Sequence, residues 1–408
     1  MMPRMPGRRR VRCLVVAAPL VVLATPRHAL AEERAWRDPT APREEPPAVQ
    51  VKPIAYVEAF YQYNLNRPDN GITHHRGFDN RAGSITLSNV ALGLSADAPR
   101  FTGTVILQVG HTPATYYLAE TESSGAAGTN ASSGRLFQYL QEAHAGWKAP
   151  VGRGLLLEGG LFPSPIGPEV LAAKDNWTFS RSNLFFGLPY YHVGVRAKYT
   201  LSDRLSSTVA LFNGWNSIVD ANEDKSLAWW LAYEDGSAVN AQLLYFAGNE
   251  RPSGAPEGPN VRHMFDGFAK LEATSWLDVM AHANGGFEPT RFGTSTWYGG
   301  AVYARARAGI VSLALRADQL REQAAASGDD RAQPLFFSGA RWVGSGTATG
   351  EVRPLEGFAV RLEYRHDEAD SPLYFRGAST GNGSTGAPFI PNTPRQDTVT
   401  VAVLGWLP

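Results

Sequence analysis

Cysteine is almost absent from this sequence. The only one, Cys13, opens an apolar run at 13–24, in a stretch that we expect to be removed from the mature chain. The remaining chain can then form no disulfide, and it offers neither a thiolate ligand for a metal nor a cysteine nucleophile. These three kinds of site are therefore excluded.

Long apolar runs and an excess of positive charge are also missing. No window offers 18 consecutive apolar residues, which excludes membrane-spanning helices. The 38 basic residues equal the 38 acidic ones, and setting aside the six arginines of residues 1–31 leaves acids in excess by six. This balance does not favour a surface that binds nucleic acid.

The motifs of the common enzyme classes are missing as well. There is no G-x-S-x-G elbow, no P-loop and no H-E-x-x-H pair. His74 and His75 are adjacent but have no third ligand at a useful spacing, and "GSGTATG" at 344–350 departs from the dinucleotide fingerprint and lies on a predicted strand with no helix after it. We therefore predict that the protein is not an enzyme, with no catalytic residue, metal or cofactor.

Residues 1–31 have the features of a secretory signal peptide. A basic stretch precedes the apolar run at 13–24, and small residues allow cleavage after Ala31. The arginines are also open to interpretation as a twin-arginine export signal, although the residues after them fit it poorly. A Pro-rich, charged linker is predicted at 32–53, and the folded domain at 54–408.

The folded domain is predicted to contain sixteen strands separated by turns. Segments of roughly 10 residues that alternate apolar and polar side chains are typical of a transmembrane β-barrel. The predicted strands lie near 54–64, 84–96, 101–112, 136–148, 154–162, 189–201, 204–214, 226–235, 238–248, 262–273, 275–286, 296–307, 310–320, 336–352, 357–367 and 397–407.

The connections between these strands differ in length in a regular way. Tight turns, such as those at 97–100 and 353–357, alternate strictly with long loops. With an even number of strands, this is the plan of an outer-membrane barrel whose termini both lie in the periplasm. The long loops include 65–83, 113–135, 163–188, 213–225, 249–261, 321–335 and 368–396.

Within the strands, apolar and charged residues occupy opposite faces. Val360 and Leu362 share one face of their strand, and Arg361 and Glu363 share the other. In a soluble protein the apolar face would be the core, whereas in a barrel it would face lipid. Alternation alone does not separate the two, but the signal peptide and aromatic residues near the strand ends favour an all-β, transmembrane antiparallel barrel. The aromatic residues expected in interfacial girdles are Tyr61, Tyr63, Tyr139, Trp147, Trp215, Trp229, Trp230, Tyr233, Trp276, Trp297, Tyr298, Trp342 and Trp406.

The third long loop, 163–188, is bulky for a connection between strands. Three prolines stiffen its entry, and 168–176 is predicted to form a short helix with Pro168 near its first turn. We expect its aromatic residues, Trp177, Phe179, Phe185 and Phe186, to anchor it to the barrel wall.

Three stretches resemble a known family: "VEAFYQYNLNRP" at 57–68, "QEAHAGWKAP" at 141–150 and the long block 159–195. They are similar to the OmpL-like family of β-barrel porins, and the resemblance runs through most of the mature chain. It implies an outer-membrane channel in a Gram-negative bacterium, with no shared substrate. Sixteen-stranded porins often form trimers, and their third loop commonly folds into the lumen. The resemblance therefore implies a homotrimer and an inward-folded constriction at 163–188.

The charges predicted to line the pore lie on this loop and on the wall. Opposed signs across a narrow opening would set a transverse field that orients water and selects among small polar solutes. Acidic wall residues dilute a preference for one sign, and each charge is also open to interpretation as a solvated lumen residue without special effect. The loop charges are Glu169, Lys174, Asp175 and Arg181, and the wall charges are Arg196, Lys198, Arg305, Arg307, Arg316, Arg361 and Arg365.

The function expected from the sequence is passive diffusion of small polar or charged solutes through a water-filled barrel that contacts outer-membrane lipids. Two alternatives stay open. One is a structural or adhesive barrel with a plugged lumen. The other is an outer-membrane hydrolase. The only residues that indicate it are His282 and Asp278, which lie on one face of a predicted strand.

Overall fold

Sixteen antiparallel strands close into a single barrel in the computed structural model, which describes residues 49–117, 137–236, 238–337 and 339–408. The strands follow one another around the wall in sequence order, and pairing of the last with the first closes the barrel. The predicted signal peptide and most of the predicted linker lie outside the described residues. The barrel strands are β1 (Gln50–Asn64), β2 (Ile85–Asp97), β3 (Phe101–Val109), β4 (Leu140–Ala149), β5 (Leu155–Pro163), β6 (Tyr191–Thr200), β7 (Leu205–Phe212), β8 (Ser226–Asp235), β9 (Val239–Asn249), β10 (Val261–Glu272), β11 (Leu277–Thr290), β12 (Gly293–Ala308), β13 (Val311–Gln323), β16 (Trp342–Leu355), β17 (Phe358–Ala369) and β18 (Arg395–Trp406), and the small hairpin β14 (Ala326–Ser327) and β15 (Asp330–Arg331) lies between β13 and β16.

The two faces of the wall have the polarity that a membrane barrel requires. In β13, Arg316 and Asp318 are buried inside, whereas Leu313 and Leu315 are exposed on the outer face. Because successive side chains of a strand point to opposite faces, the same alternation of charged and apolar residues places charge in the lumen and apolar groups toward lipid. The predicted fold class is therefore confirmed.

The lengths of the connections at the two rims agree with the predicted alternation of short turns and long loops at all but one connection. Turns of two to five residues join the strands at one rim, and loops of at least eleven residues join them at the other. The exception is the two-residue turn 291–292, where the sequence predicted a loop of nine residues. Strand pairing continues to Thr290 opposite Gly293, and Gly293 takes a φ of 118°, which a glycine adopts without a Cβ clash. The strict alternation of turn lengths was therefore wrong.

Several element boundaries also differ from the predicted ones. The first strand begins at Gln50 rather than 54, and β16 begins at Trp342 rather than 336. The predicted helix at 168–176 is wrong, because only a 3₁₀ turn forms there, over Ala173–Asp175. The side chain of Asn176 bonds the backbone of Val170 through both N–H and C=O, which takes up groups that a helix would use.

The aromatic residues divide between the two faces of the wall. Trp147, Trp276 and Tyr298 are exposed on the outside near strand ends, as the girdle prediction requires. The prediction was wrong for Trp230 and Trp297, which face the interior, and for Trp215, which lies in a loop and is buried. It was also wrong for Trp406, which lies on the inward face of β18 and packs against the interior clusters of Phe60 and Tyr56.

The interior of the barrel is packed rather than hollow at the level of the long loops. Phe162, Phe212 and Phe246 on the wall form one apolar cluster with loop residues that include Leu184 and Trp215. Two short helices belong to the loops, α1 (His111–Tyr116) and α2 (Asn183–Phe186). In the part of the chain that the structure describes, no helix is long and apolar enough to cross a membrane.

Candidate functional site

The connection between β5 and β6, residues 164–190, is called loop 3 below, and it lies against inward-facing residues on opposite sides of the barrel. Near its start, the amide of Gly167 donates to Asp266 Oδ1 on β10 at 3.1 Å. Farther along, the amide of Lys174 donates to Glu58 Oε1 on β1 at 3.1 Å. Because these strands are far apart around the wall, the loop extends across the interior.

Wall carboxylates hold the backbone of loop 3. Glu363 on β17 accepts the amides of Phe179 and Ser180 at 2.6 and 3.0 Å. Asp318 on β13 accepts the backbone and side-chain N–H groups of Asn183 at 3.1 and 2.8 Å. Hydrogen bonds to a charged acceptor contribute roughly twice as much as neutral ones, so these contacts fix the position of the loop.

Arg316 reaches loop 3 from β13. Its Nη1 donates to Glu169 Oε1 at 3.1 Å, to Thr178 Oγ1 at 2.8 Å and to the carbonyl of Ser180 at 2.6 Å. The side chain is buried, so its charge is balanced by Glu169, by Asp318 on the same strand at 3.2 Å and by loop carbonyls rather than by water. This geometry uses the fork of donors that a lysine lacks.

Arg361 and Arg365 repeat this arrangement on β17. Arg361 donates to the carbonyls of Ala173 and Asn176 at 2.8 and 2.7 Å. Arg365, which is completely buried, donates to the carbonyl of Arg181. Both guanidinium groups therefore face loop backbone instead of open water.

Arg181 lies within the loop and stabilises the loop itself. Its Nε and Nη1 donate to the carbonyls of Val170 and Phe179 at 3.2 and 2.7 Å, and its guanidinium lies 5.1 Å from the ring centre of Phe78. Together, five of the eleven predicted pore charges are buried at the contact between loop and wall. These five are Glu169, Arg181, Arg316, Arg361 and Arg365.

The other six predicted charges keep contact with the aqueous space. Lys174 and Asp175 form a pair at 2.8 Å, and Asp175 is exposed. Arg196 is partly exposed, pairs with the buried Glu158 at 2.7 Å and lies 4.2 Å from the ring centre of Phe162. Lys198, two residues farther along β6, is exposed.

The last two predicted charges share one buried acid. Arg305 and Arg307 lie 2.7 and 2.9 Å from the carboxylate oxygens of Asp278. Arg305 also lies 4.7 Å from the ring centre of Trp177, one of the aromatic residues on loop 3. Asp278 is thus engaged by arginines, while His282, its neighbour on the same face, bonds Asp266 at 2.6 Å.

The first long loop, between β1 and β2, contributes residues that sequence reasoning missed. Arg76 lies 2.8 Å from Asp79 and 3.2 Å from Asp367 on β17, all buried. Phe78 packs edge-on to Phe185 of loop 3, with ring centres 5.6 Å apart. The stretch "HHRGFDN" at 74–80 combines charges with an aromatic residue, as loop 3 does, and that likeness could have indicated its role.

An open cavity of about 490 Å³ lies at the long-loop rim. Trp215, Arg251, Arg262 and Phe336 are among the residues that line it, so it combines aromatic surface with charge. His75 also lines it, and burial, together with the charges of His74 and two nearby arginines, lowers the pKa of this imidazole to about 4. The imidazole is therefore neutral at neutral pH.

A closed sixteen-stranded barrel with charge inside, apolar residues outside and a loop packed against its inner wall defines an outer-membrane protein of the porin class. Residues 50–404 match the model of the family described as "Putative beta-barrel porin-2, OmpL-like". The chain belongs to this family, and both the predicted resemblance and the predicted outer-membrane location are confirmed. No curated protein sequence matches it.

Three solved structures of outer-membrane proteins share this fold at low sequence identity. The outer membrane channel DcaP of Acinetobacter baumannii is 9% identical, covers 88% of this chain and 98% of its own, and gives a TM-score of 0.56. The trimer form of OmpT from Vibrio cholerae is 8% identical. It covers 88% of this chain and 100% of its own, with a TM-score of 0.55. An anion-selective porin from Comamonas acidovorans is 12% identical. It covers 88% of this chain and 100% of its own, with a TM-score of 0.53. At such identities the likeness concerns the fold alone.

Proposed function

We propose that this protein is a passive, non-catalytic diffusion channel for small polar or charged solutes, and that loop 3 narrows its lumen. The supporting observation is that backbone amides of the loop bond Glu58 on β1 and Glu363 on β17. A loop that extends to those strands takes up cross-section that solutes would otherwise use. Its charge-assisted bonds make the narrowing a standing feature of the channel.

The charges that keep contact with water in the lumen are mostly basic. Lys198 is exposed, and Arg305 and Arg307 are partly so, whereas their acidic neighbours Glu158 and Asp278 are buried. A positive potential in a narrow aqueous passage raises the local concentration of anions. We therefore propose that the channel prefers anionic solutes.

Single-channel conductance of the refolded chain without residues 1–31 tests both proposals. Discrete, ohmic steps in a planar bilayer support an open channel, and a reversal potential of anionic sign under a salt gradient supports the charge preference. A cation-selective current would contradict the preference. A folded barrel that stays silent would contradict the open channel.

The burial of the lumen arginines also favours a second candidate, a barrel plugged by loop 3 whose outer loops bind a partner. Arg361 and Arg365 are almost fully buried by the loop. Replacing 169–181 by a short Gly-Ser link separates the two candidates. In a narrowed channel the replacement increases an existing conductance, whereas in a plugged barrel it creates conductance where the wild type has none.

We also propose that the barrel assembles as a homotrimer in the membrane. The support is the structural neighbour from Vibrio cholerae, which was solved in a trimer form. Native mass spectrometry of the protein extracted in mild detergent gives the subunit number directly. A monomer that persists across detergents would contradict the proposal.

A further inference from the structure

A groove of about 920 Å³ lies at the long-loop rim, where β12, β13 and β16 end. The strand ends form one side of it, and parts of the following connection, 331–334 together with Phe337, Gly339 and Ala340, form another. The long loops mark the outer side of the membrane, so this end of the wall lies at the outer leaflet.

Three neighbouring strands place an aromatic–arginine–aromatic row in this groove. Tyr298 on β12 pairs with Arg321 on β13, and Arg321 pairs with Trp342 on β16. The alternating neighbours Trp297, Leu320 and Val343 are buried inside, so the three side chains of the row point outward. Tyr and Trp at this height are the residues that a barrel places at the membrane interface.

The groove offers more free positive charge than negative charge. Arg321 is exposed, and the one hydrogen bond of its guanidinium among the described residues goes to Gln319 at 3.3 Å. Arg341 is 88% exposed in its side chain and pairs with Asp370 at 3.2 Å. Arg331, from the hairpin, is exposed as well.

The other acid that lines the groove is already engaged. Glu322 points inward and accepts the backbone amides of Phe336 and Phe337 at 3.1 and 3.2 Å, along with that of Leu335. Its charge is therefore taken up by the loop rather than by the arginines.

We propose that this groove binds the phosphate of a phosphorylated lipid headgroup in the outer leaflet. Guanidinium groups match phosphate oxygens with paired donors, and the rings of Tyr298 and Trp342 provide apolar surface beside them for the rest of the headgroup. An inorganic anion has no apolar part that could pack against those rings. The opening on the lipid-facing side favours a membrane source of the phosphate over a dissolved one. The groove lies on the outer surface of the wall, so it would bind the lipid whether or not the barrel conducts.

The test uses the folded protein in detergent and diphosphorylated lipid A as the probe, with native mass spectrometry as the readout. We expect the wild type to retain this lipid and to bind its dephosphorylated form about tenfold more weakly. The variant R321A/R341A should lose most of that preference. Both changes are on the surface, and the shift in gel mobility on heating confirms that the variant is folded.

The control is Arg67→Ala. Arg67 is also exposed and donates to an outward tyrosine, Tyr63 on β1 at 2.9 Å, but lies outside the groove. Retention unchanged in R67A and reduced in R321A/R341A supports the site. Equal loss in both variants would mean that any charge at the rim attracts the lipid, and this overturns the proposal. Competition by inorganic phosphate at the concentration of the lipid would overturn the membrane source, and equal binding of the dephosphorylated lipid would overturn the phosphate contact.

Discussion

At the scale of single residues, arginine has two roles in this lumen. Arg316, Arg361 and Arg365 are buried and bind carbonyls of loop 3, whereas Arg305 and Arg307 keep contact with water. The planar fork of a guanidinium can satisfy several carbonyls at once, which explains why arginine and not lysine occupies the buried positions.

Arg316→Ala should therefore destabilise the folded barrel strongly. Removing one partner of a buried ion pair costs about 3–5 kcal/mol, because Glu169 and Asp318 both lose their contact with this cation inside the barrel. Urea unfolding in detergent measures the change. Lys198→Ala, at an exposed lumen position, is the matched control and should stay within about 0.5 kcal/mol of wild type. Equal losses in the two variants would contradict the assigned role of Arg316.

His75 should make the first long loop sensitive to acid. Its pKa is lowered from an ordinary 6.5 to about 4, first by burial and then by neighbouring positive charge. The stabilising contribution of the neutral imidazole is thus present above pH 6.5 and is lost as the pH falls from 6.5 toward 4. Protease cleavage of the loop should rise over that range.

The matched variant is His75→Asn, because His75 has a φ of 55°, which asparagine tolerates. This variant should show a flatter dependence of cleavage on pH between 6.5 and 4. If wild type and variant give the same profile, another group is responsible.

At the scale of elements, the strands were predictable and the path of loop 3 was not. Period-two alternation fixes which side chains of a strand share a face, so the sixteen strands follow from the sequence with small errors at their ends. Loop 3 takes its shape from carboxylates that are distant in sequence, such as Glu58 and Glu363. No local pattern in 168–176 could report those partners, and the helix predicted there fails for that reason.

Gly167→Val should displace the start of loop 3. Gly167 has a φ of 77°, and a Cβ there would lie 2.8 Å from Leu188 and 3.2 Å from the ring of His282. Strain of this kind costs about 1–3 kcal/mol. If the loop narrows the lumen, the variant should show a larger and noisier single-channel conductance.

Gly346→Val provides the control, because a Cβ at Gly346 on β16 would meet no atom within 4 Å. We expect its conductance to equal that of the wild type. A Gly167→Val channel with wild-type conductance would mean that this end of the loop does not shape the opening.

At the scale of the whole molecule, the sequence indicated the lumen charges but not what covers them. All eleven predicted residues were chosen from strand parity and loop position. Parity identifies an inward side chain, but it does not say whether a loop or water lies against it. Arg361 and Lys198 are both basic residues on the polar face of a predicted strand. In the structure Arg361 is buried, whereas Lys198 is exposed.

The charge preference of the whole channel should follow the exposed residues. Lys198→Glu with Arg307→Glu should shift the reversal potential toward cations, because both positions contact the aqueous lumen. Arg361 and Arg365 are also among the charges that the sequence placed in the pore, and on that basis alone Arg361→Glu with Arg365→Glu would be expected to shift the reversal potential in the same direction. Given their burial, we expect that pair to weaken the hold on loop 3 and raise conductance instead. Measuring both double variants under one salt gradient distinguishes the two sets.

The closing seam of the barrel has a consequence for how the chain folds. Tyr56 on β1 pairs with Trp406 on β18, so the barrel cannot close until almost the whole chain is present. Contacts between residues so distant in sequence make folding slow. Loop 3 spans this seam from inside, since Lys174 bonds β1 and Phe179 bonds β17. The loop can thus act as an internal clamp that holds the first and last strands together while the seam forms, and shortening it should slow assembly as well as alter transport.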